Sequence, residues 1–117
     1  MTSRPPLSET FTHERGLLVR RVTPRSGKPY EHRCARATFE DVALRIDEAG
    51  DHGVVLEEIA EAAGLPYSQV AVALAFLQER GCIVPVHGRR HVAASTTAFE
   101  DAMVEWYALH ECVDATD

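Results

Sequence analysis

The chain has 117 residues, 45% of them hydrophobic, and 12 Lys and Arg against 18 Asp and Glu give it a formal net charge of −6. That length and apolar content fit one compact domain with a real core and exclude a disordered acidic chain. No run approaches the roughly 18 apolar residues of a membrane span, and the opening MTSRPPLSET has no apolar signal segment, so a cytoplasmic protein with no membrane partner is expected.

The charge is divided unevenly. Residues 1–37 hold eight basic side chains against three acidic ones, and residues 38–117 hold four arginines against fifteen acids. A basic arm on an acidic body results, and only the arm would be drawn to nucleic acid. Within that arm, residues 1–15 carry two prolines and no period, which predicts a loosely draped segment. Residues 16–22 (GLLVRRV) read as a strand, 23–29 (TPRSGKP) as a turn and 30–34 as a partner strand. The SGK triplet lacks the first glycine of a phosphate loop and no strong helix follows, so no nucleotide site is expected.

The globular part begins with a helix opened by Thr38, whose buried stripe is Phe39, Val42, Ala43 and Ile46. Residues 50–53 (GDHG) break it, and Val54-Val55 reads as a short added strand. Leu56, Ile59, Ala60 and Ala63 then mark a second helical face, ended by Gly64. Pro66 suits the first turn of a third helix over 67–80, with Val70, Ala73, Leu74 and Leu77 on its core face and Gly81 past its end. Residues 82–86 and 90–94 read as a hairpin about a Gly88-Arg89 turn, with Ile83, Pro85, Val92 and Ala94 on one face. A capping box at Thr97 and Glu100 opens a last helix bearing Phe99, Ala102, Met103, Trp106 and His110, and residues 113–117 are expected to fray.

Residues 56–93, LEEIAEAAGLPYSQVAVALAFLQERGCIVPVHGRRHVA, combine an Ile-Ala pair, a Gly-Leu turn, a Val-x3-Leu-x2-Leu-x3-Gly-x-Ile run and a basic hairpin tip. Together they resemble the winged helix-turn-helix domains of bacterial transcription regulators. The resemblance implies an α+β fold over 38–96, with a basic arm or hairpin over 1–37 in front and a helix over 97–112 behind. It also implies a small DNA-binding regulator, not an enzyme, with Tyr67, Ser68, Gln69 and Val72 in the major groove. The wing residues His87, Arg89 and Arg90, aided by Arg20 and Arg21, would then lie on double-stranded DNA phosphates.

The residues themselves also support a second reading. The outer side of the third helix offers no cation and no Arg or Asn for a base edge, whereas Val72, Ala75 and Phe76 suit a protein partner. Phe99, Met103 and Trp106 could pack within the chain or build a homodimer. His32-Arg-Cys34 and His110-Glu-Cys112 would form a tetrahedral site only if arm and last helix met, and ligands two apart on a helix diverge, so neither metal nor cofactor is expected. Three cysteines (Cys34, Cys82, Cys112) at irregular spacing make no disulfide framework. The arm's arginines have three candidate docking places: DNA, the chain's own acidic body and that of a twin.

Overall fold

A computed structural model describes residues 5–115. Two small antiparallel sheets and four α-helices make an α+β fold: β1 (Ser8–Glu14), β2 (Leu17–Thr23), β3 (Tyr30–Cys34), α1 (Arg36–Ala49), α2 (Leu56–Ala63), α3 (Tyr67–Glu79), β4 (Ile83–Pro85), β5 (His91–Ala93) and α4 (Ala98–Ala115). Among the described residues no helix is long and apolar enough to cross a membrane. Of the expected tail at 113–117, the α4 backbone continues to Ala115, and the last two residues lie outside the described range.

Residues 5–15 depart most from expectation. They do not drape loosely: β1 pairs along β2, and β2 along β3, to make a three-stranded meander. The β1–β2 turn places Arg15 at φ 54° and Gly16 at φ 80°, both left-handed, which matches the twist of a tight hairpin. Register puts Phe11, His13, Leu18, Val22 and Cys34 on one face, and Thr12, Glu14, Arg21, Glu31 and Arg33 on the other. The first face packs on the helices. Leu18 and Cys34 join Phe39, Ile46, Val70, Phe76 and Trp106 in one continuous core, so the three strands over 8–34 are not an arm apart from the helices.

The helices follow their apolar period. α1 begins at Arg36, two residues before Thr38, and Thr38 is a buried side chain instead of a cap. Its start is held by Ala35, with Arg36–Glu40 and Asp41–Arg45 ion pairs one turn apart along the exposed side. Gly64 ends α2 in the left-handed region, and Gly81 follows α3 at φ 77°. At the start of α4 the Thr97 hydroxyl bonds Asp101 and not Glu100, with the Ser95 hydroxyl donating to Asp101 at 2.5 Å.

The β4–β5 hairpin forms with a shifted register. Its pairs are Ile83 with Ala93, Val84 with Val92 and Pro85 with His91, because the Val86 amide bonds the Arg90 carbonyl across a three-residue loop with Gly88 at φ 68°. One residue of slip turns every β5 side chain over. Ile83 and Pro85 therefore share a face with His91 and Ala93 instead of Val92 and Ala94. Val54 adds a third rung, exchanging backbone bonds of 2.8 and 3.0 Å with His91.

That rung needs Gly53. Its φ is 75°, and a Cβ there would lie 2.8 Å from the His91 carbonyl oxygen and 3.0 Å from Val92. Gly53→Ala should therefore cost about 2 kcal/mol or more in a chemical denaturation midpoint, well above an exposed glycine replacement. Gly27→Ala, with open space around it, is the matched control.

Candidate interaction surfaces

α3 is the helix on which the DNA and protein readings both turn. Around it, Val70, Ala73, Leu74 and Leu77 face the other helices, as their spacing predicts. The opposite side is not free. Val72 and Phe76 are both 0% exposed, covered by the three-stranded sheet, and Phe11 sets its ring edge-on to Phe76 at 5.4 Å. Neither Val72 nor Phe76 can meet DNA or a partner in this conformation. Gln69, expected at a base edge, accepts a hydrogen bond from the Ala35 amide at 3.0 Å and so ties the β3–α1 junction to α3.

A strip of α3 stays open on the other flank. Tyr67 is half exposed and donates to Glu61 at 2.9 Å, and Ser68 is exposed. Ala71 and Ala75 floor a groove of about 340 Å³ with Leu56, between Arg20 on β2 and Arg89 at the hairpin tip. Ala75 is thus the one member of the expected outer stripe that faces a cleft.

The cations expected on phosphate are already paired. Arg89 reaches Glu57 at 2.6 Å, and Arg90 takes Glu58 through two bonds of 2.8 and 3.1 Å, which hold the Glu58 carboxyl below its usual range. Exposed His87 is on the loop between the strands, and the His91 ring is 3.1 Å from the Gln78 side chain. In the sheet, Arg20 bonds Glu9 at 2.7 Å, Arg21 bonds Glu14 at 2.5 Å and Glu31 at 2.9 Å, and Arg33 bonds Glu31 at 2.7 Å. Arg21 and Thr12 together pull the Glu14 carboxyl down to about 2. The arm's charges neutralise the arm's own acids, so apolar packing docks it on the body.

α4 divides its faces likewise. Trp106 is 4% exposed, stacked against Phe39 at 4.8 Å and His13 at 4.3 Å, so it belongs to the core and to no interface. Phe99 and Met103 are half-buried at the edge of that core, and beside them Val104 (63% exposed) and Tyr107 (43%) open outward. With Ala108 they line a shallow depression of about 510 Å³ flanked by Glu100 and Glu111. Val104 and Tyr107 went unnoticed in the sequence, although the helical period sets them on the flank beside Met103. The Phe99 amide donates to Asp47 at 3.0 Å, and Arg36 bonds the Tyr107 hydroxyl while stacking over its ring.

Among the described residues no group of three or more His, Cys, Asp or Glu is placed to hold a metal ion. Cys34 is fully buried and its thiol is pushed up to about 12, while burial raises Cys82 to about 11. The Cys112 side chain lies outside the described residues. The chain matches no protein family, no curated protein and no solved structure.

His13 is the polar exception in the interface between sheet and helices. It is buried, neither ring nitrogen has a hydrogen-bond partner among the described residues, and its ring lies 5.6 Å from His110. Burial, reinforced by His110, lowers it to about 4 from 6.5. Between those values the unfolded chain takes up a proton that the folded chain refuses. Stability therefore falls as pH drops from about 6.5 to 4, by up to roughly 3 kcal/mol. His13→Phe should remove that component, seen as a flatter unfolding free energy between pH 6.5 and 4 than the wild type gives. A second prediction tests the cover on α3: Val72→Glu, harmless on a free surface, should destabilise the chain by at least about 3 kcal/mol in urea unfolding.

Proposed function

We propose that the chain is a winged-helix module that works through protein contacts, with the outer stripe of α4 as its docking face. The order α1, Val54 rung, α2, α3, β4, β5 supports the winged-helix part of this reading, in which α3 would take the recognition position and the β4–β5 hairpin would be the wing. The observation that carries the reading is the burial of Val72 and Phe76 beneath the chain's own sheet, which closes the side of α3 that would enter a groove. Pairing of Arg89 and Arg90 with Glu57 and Glu58 adds to it, since a phosphate would have to displace those carboxylates.

The α4 stripe offers apolar area, and only its Tyr107 ring is already engaged, by the Arg36 guanidinium. Phe99, Met103, Val104, Tyr107 and Ala108 lie between Glu100 and Glu111. Self-pairing of this stripe, parallel or antiparallel, would bring those carboxylates together, so it suits a different partner with apolar side chains flanked by Lys or Arg. The DNA-binding reading would rest on what remains open: Tyr67, Ser68 and the groove between Arg20 and Arg89.

Two measurements separate the readings. Capture from a native extract should retain a partner on the wild-type chain and lose it, by tenfold or more, on a chain carrying Val104→Glu and Ala108→Glu, both at exposed positions. Anisotropy with duplex DNA should show no binding at about 50 mM salt. Duplex affinity that falls steeply with salt, and about tenfold further on Arg89→Ala with Arg90→Ala, would replace the protein reading with the DNA one.

A further inference from the structure

We propose that β3 is a self-pairing edge, through which two copies of the chain join their three-stranded sheets into one of six strands. β3 is the outermost strand of its sheet, and among the described residues its backbone bonds only to β2. Tyr30, Glu31, His32 and Arg33 are all exposed, whereas β1, the other edge, lies against α4 through His13 and Trp106. An uncovered edge of this kind presents a row of unpaired N–H and C=O groups to any strand that can align with it. No proline interrupts the strand, and Pro29 stands just before it.

The side chains select the partner and the register. In an antiparallel pair related by a twofold axis perpendicular to the sheet, the axis must pass through a residue if side chains are to stay on matching faces. Centring on Glu31 sets two Glu31 side chains opposite each other, and centring on Arg33 does the same with two arginines. Both cost energy, since like charges directly across a ladder repel. Centring on His32 instead sets Glu31 of each copy opposite Arg33 of the other, twice, with Tyr30 opposite Cys34 on the inner face. Of these three registers it is the one that sets unlike charges across the ladder, with the two His32 side chains meeting at the axis.

This pairing also extends an order already present. The outer face runs Glu14 on β1, Arg21 on β2, then Glu31 and Arg33 on β3, linked at 2.5, 2.9 and 2.7 Å. Arg33 is the most exposed member of that network and can face a second carboxylate without leaving the first. Two five-residue strands bury less than the roughly 1,200–2,000 Å² of a standard stable interface, so the dimer is a weak one, about micromolar to tens of micromolar. It does not rest on the α4 stripe.

Sedimentation velocity between about 1 and 200 µM tests it: the wild type should shift from monomer to dimer across that range. Glu31→Arg alone and Arg33→Glu alone should each stay monomeric, since each makes its own edge uniformly charged. An equimolar mixture of the two should recover the dimer. Hydrogen exchange gives an independent reading on the wild type, where the free-edge amides of residues 30–34 should slow as concentration rises. A wild type that stays monomeric throughout, or a dimer untouched by either variant, or one lost on Val104→Glu instead, would overturn the proposal. Should either variant fail to fold by circular dichroism, unchanged exchange in β3 of the wild type would overturn it equally.

Discussion

Five rings from four elements hold this fold together. Phe11 and His13, two apart on β1, reach down to Phe76 on α3 and Trp106 on α4, and Phe39 on α1 joins those two at 5.9 and 4.8 Å. Each neighbouring pair sits at an edge or a tilt, the arrangement that ring quadrupoles favour. The circuit spans the boundary between the sheet and the helices, so the sheet cannot leave without opening a core that all three helices share. His13 is its weak member, because it brings two unpaired nitrogens into a place that suits carbon.

Electrostatics explain less of the docking than the division of charge suggests. An acidic body and a basic arm invite the picture of an arm held by ion pairs to the body. Instead Glu9, Glu14 and Glu31 draw in Arg20, Arg21 and Arg33 inside the sheet, and Glu57 and Glu58 draw in Arg89 and Arg90 of the β4–β5 hairpin inside the body. Short-range pairing between neighbours on one surface wins over long-range attraction, which salt screens within about 8–10 Å. The excess acid of the body, including Glu100 and Glu111, is left for solvent or for a cationic partner.

The helices were legible in the sequence because their period and their glycine stops agree. Val70, Ala73, Leu74 and Leu77 mark one face of α3, and Gly64 and Gly81 bracket it. β1 was not legible, since Phe11 and His13 share their face with Glu9 and stand among threonines and glutamates, and Arg15-Gly16 is a weaker turn signal than Asn-Gly. The fate of Val72 and Phe76 was written in α3 itself. A helix with apolar residues on opposite sides is more often buried on both than offered to a partner. The β4–β5 register depends on a three-residue loop at Gly88, where a two-residue turn fits the same letters equally well. Of the site residues, Tyr67, Ser68 and His87 are exposed, while Gln69 is engaged by Ala35 for reasons that only the folded β3–α1 junction supplies.

The energy needed to uncover α3 bears on every reading that uses it. Lifting the sheet would expose at least Phe11, Leu18, Val22, Val72 and Phe76, at about 2 kcal/mol each, or roughly 10 kcal/mol together. That is comparable with the whole stability of a domain of this size, about 5–15 kcal/mol. A ligand that bound only the uncovered form would lose about seven orders of magnitude in apparent affinity to the opening equilibrium. Six or so phosphate contacts cannot restore that at physiological salt, and an outer surface of Val72 and Phe76 would return little to a base edge. The sheet thus closes the Val72–Phe76 side of α3, and what stays open is the strip at Tyr67 and Ser68, the groove over Ala71 and Ala75, the α4 stripe and the edge of β3.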